Sequence, residues 1–203
     1  MKRAILYFTI SIIAISPVSS EILHIGTIQA STYNSVLEMI LDTSFTVLLD
    51  MDTDLYSLAF HNTMSKGYVD LDNSQMQRLR ETLDKYCEWE VLATESQVKI
   101  DKQIPDSSIV KSRISFSYGD NWYHGNNLSI TFTFFSFNED SHSLLIQSNK
   151  IFSSSNKYID FQIDLTFLDK TQVQYFIETI SEDSIKALLV EYQTKKDNEA
   201  MFN

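Results

Sequence analysis

Glycine and proline are scarce here, with four and two residues among 203. A chain so poor in both carries no low-complexity linker, no collagen-like repeat and no glycine-rich phosphate cradle. Cysteine is scarcer still: Cys87 stands alone. One thiol forms no internal disulfide, so packing must hold the fold. Positive charge is also in deficit, with sixteen Lys and Arg against 27 Asp and Glu and a formal net charge of −11. Such a surface repels nucleic acid and anionic lipid on average, and no run of Lys or Arg offsets it. Beyond the first twenty residues no apolar stretch reaches the roughly 20 residues that a membrane-spanning helix requires.

What the chain does have begins at its N-terminus. Lys2 and Arg3 precede an apolar run from Ala4 to Ile15, and small residues follow, ending Val18-Ser19-Ser20. These are the three parts of a cleavable secretory signal peptide. The expectation is cleavage after Ser20, export to a periplasmic or extracellular space, and a mature chain of residues 21–203 with no transmembrane segment. Losing Lys2 and Arg3 takes the formal charge from −11 to −13. The hydrophobic fraction of 43% is too high for a disordered chain and suits one domain.

Periodicity predicts an α+β fold. Met76, Leu79, Leu83 and Cys87 recur at steps of three or four and place a helix over about 73–93. Cys87 then joins the buried stripe as a small core hydrophobe, against the alternatives of an intermolecular disulfide or a nucleophile. Asp72 and Gln75 spell a capping box, Leu71 and Met76 a hydrophobic staple, and Glu81 with Lys85 an outward i,i+4 pair. A second helix over about 170–180 repeats the spelling with Asp169, Gln172, Leu168 and Val173. A third, over about 182–195, starts at Ser181 and ends on Lys195 and Lys196, where cations suit the helix dipole, before a fraying tail from Asp197. Thr32 to Leu41 reads as a short helix with Tyr33, Val36, Leu37 and Ile40 on one face.

Strands show as period-two alternation. The clearest run over Val110–Tyr118, Leu128–Phe134 with a bulge near Phe134, and Ile159–Phe167; weaker ones cover Phe45–Leu49, Leu55–His61, Gly67–Leu71 and Leu144–Phe152. In the first, Lys111, Arg113, Ser115 and Ser117 share the polar face. One-faced alternation predicts an antiparallel sheet covered by the central helix and the two C-terminal helices. The spelling Leu71-Asp72-Asn73-Ser74-Gln75 parallels Leu168-Asp169-Lys170-Thr171-Gln172. That suggests a duplicated sheet-helix unit, over about 43–95 and 108–195, with convergence on a capped helix as the alternative.

Two resemblances accompany these patterns. The segment Leu83-Asp84-Lys85-Tyr86-Cys87-Glu88-Trp89-Glu90 resembles one in small exported bacterial proteins with no assigned activity. A unit of four strands and a helix, used twice, is similar in outline to the Whirly and Pur folds. That likeness implies a single-stranded nucleic-acid binder, which the acidity and the leader both oppose.

Chemistry is thinly spelled. His24, His61, His124 and His142 are scattered, none spaced for a zinc site, and each reads as a surface or loop residue. Asp50-x-Asp52-x-Asp54 starts like a calcium loop, but Leu55 stands where glycine belongs and His61 where glutamate belongs; a polar turn is the plainer reading. Glu88 with Glu90, or Asp160 with Asp164, could serve acid–base hydrolysis, though solvated surface explains them too. No cofactor or metal is expected. The segment Tyr118 to Asn127 holds two of the four glycines and reads as a loop between strands. Its Tyr118, Trp122, Tyr123 and His124 are the candidate ligand-binding residues, since rings beside polar groups stack on flat ligands, sugars or apolar anchors; alternatively Trp122 and Tyr123 cover the sheet edge. The expected function is a non-catalytic binding protein for another envelope or extracellular macromolecule, with an unrecognised acidic hydrolase and a nucleic-acid binder as alternatives.

Overall fold

A computed structural model describes residues 21–34, 37–61 and 65–201. The signal peptide predicted over 1–20 lies outside the described residues, as does Val36.

Strand alternation and helix periodicity both take shape as an α+β fold, with the sheet closed on itself. The elements run β1 (Ile22–Asn34), β2 (Met39–Asp50), β3 (Leu55–His61), β4 (Ser65–Leu71), α1 (Asn73–Ser96), β5 (Lys102–Gln103), β6 (Ile109–Tyr118), β7 (Asn121–Asn138), β8 (Ser141–Ser148), β9 (Ile151–Phe152), β10 (Asp160–Phe161), β11 (Thr166–Leu168), α2 (Lys170–Thr179) and α3 (Glu182–Ala200). Every strand pairing is antiparallel, and the ring closes as β1-β2-β3-β4-β6-β7-β8-β11 and back to β1. Closure removes the exposed edges that an open sheet would present. The ring order is symmetric in outline. Four ring strands precede α1 and four precede α2, and the seams β4–β6 and β1–β11 each join the last strand of one half to the first of the other.

The inward residues form one core. Ile28, Phe45, Val47, Leu58, Val69, Phe116, Phe132 and Phe134 from the strands meet Met76, Leu79, Leu83 and Tyr86 of α1 and Val173 and Phe176 of α2. Phe176 packs edge-on to Phe45 at 5.3 Å, and Tyr86 lies 5.5 Å from Phe134. Both predicted capping boxes form, with Asp72 accepting from Gln75 N and Asp169 from Gln172 N, each at 2.8 Å. A segment after β8 adds Phe161 and Ile163 to the interior, with Phe161 stacked on Phe116 at 5.6 Å and lying against Gly67.

Several local expectations are corrected. The helix expected over 32–41 is corrected: residues 32–34 and 39–41 are strand, with β1 and β2 paired out to Asn34 opposite Met39, and Asn34 Oδ1 accepts from Leu37 N at 2.9 Å. The long ladder, running back to Ile22 opposite Asp50, outweighs a local apolar spacing that also fits a helix. The irregularity in β7 falls between Ser136 and Asn138, so alternation continues past Phe134: Ser136 points inward and Phe135 and Phe137 point out. There the two rings meet Phe167 at 5.5 and 5.3 Å. The run 159–167 is not one strand; only 160–161 and 166–168 pair, and Leu165 turns outward while Thr166 is buried. On β6, Lys111 turns toward α1 and donates to Gln75 Oε1 at 2.6 Å. Lys85 pairs with Glu88 at 2.6 Å rather than with Glu81, which accepts from Gln77 instead. Helix α3 runs on to Ala200, so Lys195 and Lys196 are not at its end; Lys196 and the Tyr192 hydroxyl both reach Glu21.

Candidate functional site

The four sequence candidates lie on a hairpin, not in a loop. Strands β6 and β7 pair directly from Tyr118 opposite Asn121, leaving Gly119 and Asp120 as a two-residue turn. Gly119 has φ +57°, a left-handed conformation that suits such a turn and that glycine adopts at no steric cost. Extended backbone then sends the candidates to opposite faces. Trp122 and His124 point out of the barrel, while Tyr123 turns toward the core and lies 6.0 Å from Phe116. Tyr118, at the strand end, is exposed.

The outer face gathers residues that the linear sequence keeps apart. Trp122 is 59% exposed, and its ring lies 5.7 Å from that of Tyr68 on β4. His124 Nδ1 is 3.1 Å from Ser115 Oγ, which fixes the ring plane. Asn126 donates to Ser154 Oγ at 3.2 Å, and the His124 carbonyl accepts from Ser154 N at 2.8 Å, so the segment after β9 is tied to the hairpin. Arg113, which pairs opposite Asn126 from β6, shares a depression of about 340 Å³ with Trp122, Tyr123, His124, Asn126 and Ser154, so three of the four sequence candidates meet there. No carboxylate among the described residues pairs with Arg113. In a chain with this excess of acids, that leaves five guanidinium donors facing solvent beside an aromatic platform. Trp122, Tyr123 and His124 of this face were legible in the sequence, whereas Tyr68 and Arg113 were not. The alternating polar face of β6 already carried Arg113; only the β4–β6 pairing brings Tyr68 alongside.

A second concavity, of about 320 Å³, opens at the β1–β2 hairpin end. Phe45 and Phe60 line it below, and Thr32, Asp42, His61 and Asp164 line it above. Burial raises the Asp164 carboxyl pKa above its ordinary value. Burial, followed by the nearby Lys66 cation, lowers the His61 pKa. Thr32 Oγ1 is enclosed without a hydrogen-bond partner. Asp160, the proposed mate of Asp164, instead lies 3.5 Å from Lys150 and does not line this concavity. The other proposed carboxylate pair also separates. Glu88 is on the solvent face with Lys85, whereas Glu90 is turned inward, 2.6 Å from Lys170 and accepting from Thr94.

The remaining candidates serve the framework. Asp50 Oδ1 accepts from Asp52 N and Thr53 N at 2.9 and 3.1 Å, which makes 51–54 the polar turn between β2 and β3. Among the described residues no three His, Cys, Asp or Glu side chains cluster as metal ligands. Cys87 is partly buried against the core, and burial followed by Asp84 and Glu90 raises its thiol pKa, which disfavours the reactive thiolate. His142 is buried, contrary to a surface reading: Ser136 Oγ is 2.9 Å from its Nδ1 and donates to Ile100 O at 2.8 Å. Because that hydroxyl proton goes to Ile100, His142 Nδ1 must be the donor to Ser136. No family model, curated protein or solved structure matches the chain.

Proposed function

We propose that this protein is an exported, non-catalytic binding protein that holds a neutral glycan of an envelope or extracellular macromolecule on the outer Tyr68–Trp122 face. The observation that carries this reading is the exposed Trp122 ring beside the unpaired Arg113 guanidinium. A sugar ring presents a flat C–H face to an aromatic ring and a rim of hydroxyls, each both donor and acceptor. Arg113 supplies donors only, while His124, Asn126 and Ser154 supply both kinds, a mixture that matches hydroxyls. The net charge of −11 works against polyanions, nucleic acid included. Export enters through residues 1–20 of the sequence.

Affinity electrophoresis through gels holding neutral cell-surface polysaccharides tests the reading. Retardation of the full chain is expected. Trp122→Ala should weaken it at least tenfold, about 1.4 kcal/mol, with melting changed by no more than the aromatic pair contributes, roughly 0.5–1.5 kcal/mol. Tyr123→Ala should instead lower stability, because that ring packs on Phe116. Retention that ignores Trp122→Ala would refute the proposal. Tight binding of single-stranded oligonucleotides at low salt, lost on the same substitution, would favour the nucleic-acid reading instead.

A further inference from the structure

The C-terminal turns of α1 and the segment that follows them enclose a groove separate from both concavities above. Helix α1 ends when Gln97 adopts φ 51° and ψ 50°, and the chain doubles back. The returning segment is pinned to β7 along its length. Ile100 N donates to Ser136 Oγ at 3.0 Å, Ser136 N donates to Asp101 Oδ1 at 3.0 Å, and Lys102 pairs opposite Phe134. Ile104 N then donates to Phe132 O at 2.9 Å. A preformed cavity of about 300 Å³ results, with Phe134 and Ala93 at its base and Trp89, Leu92, Val98 and Ile100 around it.

Two features at its margin are polar. Lys102 Nζ rests 5.2 Å from the centre of the Trp89 ring. No carboxylate among the described residues pairs with Lys102, although the chain has a large excess of acids. Ser96 also lines the groove, and its hydroxyl has no partner among the described residues. Apolar walls with a cation at the margin are complementary to an amphipathic anion. Leu92, 60% exposed, leaves one wall open for entry.

We propose that this groove binds an amphipathic anion, an alkyl carboxylate of medium length. Its chain lies along Leu92, Val98 and Ile100 over Phe134, and its carboxylate meets Lys102 and Ser96. At about 300 Å³ the cavity lies at the small end of ligand pockets, and octanoate is the probe chosen for it. Preformed apolar pockets with a few convergent polar groups are where small ligands bind, and cation–π contact with Trp89 holds the ammonium at the margin before a ligand arrives.

The test is calorimetric titration of the full chain with octanoate, octylamine and acetate. Saturable one-to-one binding of octanoate is expected, with octylamine and acetate at least tenfold weaker. Lys102→Glu should weaken octanoate at least tenfold and raise the affinity for octylamine, and Leu92→Glu should abolish octanoate binding. Melting of both variants should stay near that of the unaltered chain, since both side chains are at the surface. Equal affinity for octanoate and octylamine, no octanoate binding, or indifference to Lys102→Glu would each overturn the proposal. Trp122→Ala, which tests the glycan face, should leave octanoate binding unchanged.

Discussion

Replacing Gly67 by Ala should destabilise the barrel through one identifiable contact. Gly67 lies on β4 opposite Phe60 of β3 and Phe116 of β6. An added Cβ would sit 2.1 Å from Phe161 Cζ and 2.5 and 2.6 Å from two further ring carbons. Carbon atoms in contact rest about 3.5–4.0 Å apart, so the ring or the strand must yield by more than an ångström. Phe161 has little freedom to do so, being 1% exposed and stacked on Phe116. Overpacking of this kind costs ~1–3 kcal/mol, and the immobile ring places Gly67→Ala near ~2–3 kcal/mol. For a chain of this size each kcal/mol is worth about 2–4 °C, so melting should fall by about 4–12 °C. Phe161→Ala alone should cost ~3–5 kcal/mol. In that background the added methyl has space, and Gly67→Ala should become neutral or stabilise by about 0.4–1 kcal/mol through the unfolded chain. Urea unfolding of both single variants and the double variant measures the coupling, expected at about 2–4 kcal/mol. Additive costs, or unchanged melting of Gly67→Ala, would show that Phe161 does not fill the barrel against β4.

Lys170→Ala should cost about 1–2 kcal/mol, below the range for a fully buried pair because the lysine is half exposed, and adding Glu90→Gln should recover part of the loss; an unchanged urea midpoint for Lys170→Ala would count against the pair. Asp164 is an acid whose folded pKa is raised, so the folded state holds its proton more tightly than the unfolded chain. Its contribution to stability is therefore complete below the ordinary value of 3.8 and is lost as pH rises through the folded pKa. Asp164→Asn should flatten that part of the stability–pH curve, and an identical curve in the variant would remove the assignment. Alkylation of Cys87 by iodoacetamide should be slow in the folded chain and fast in urea, since burial holds the thiol protonated; equal rates would show an exposed thiolate.

Where the outcome depended on near neighbours in sequence, the residues alone carried it. Both capping boxes, the buried stripe of α1 and most strands follow from spacings of two, three and four residues, because side-chain direction is set by local backbone geometry. The same locality misled at 32–41, where Tyr33 and Ile40, set at helical spacing, lie opposite each other in two strands whose pairing reaches from Asn34–Met39 back to Ile22–Asp50. It misled again at Tyr118–Asn127, where two glycines suggested a loop and the β6–β7 ladder supplied a strand. Barrel closure rests on the β4–β6 and β1–β11 seams. Those join segments dozens of residues apart, and no local pattern encodes them.

The candidate faces divide in the same way. Trp122 and His124 could be singled out from composition alone, but Tyr68 and Arg113 became their neighbours only when β4 and β7 flanked β6. Lys102 was one cation among sixteen until the turn at Gln97 laid it over Trp89. Amino-acid order by itself determined the charge, most of the alternation and the helix starts, since these are properties of short stretches. Tertiary structure decided which rings face water and which cations lack partners, because both depend on what distant strands place beside them.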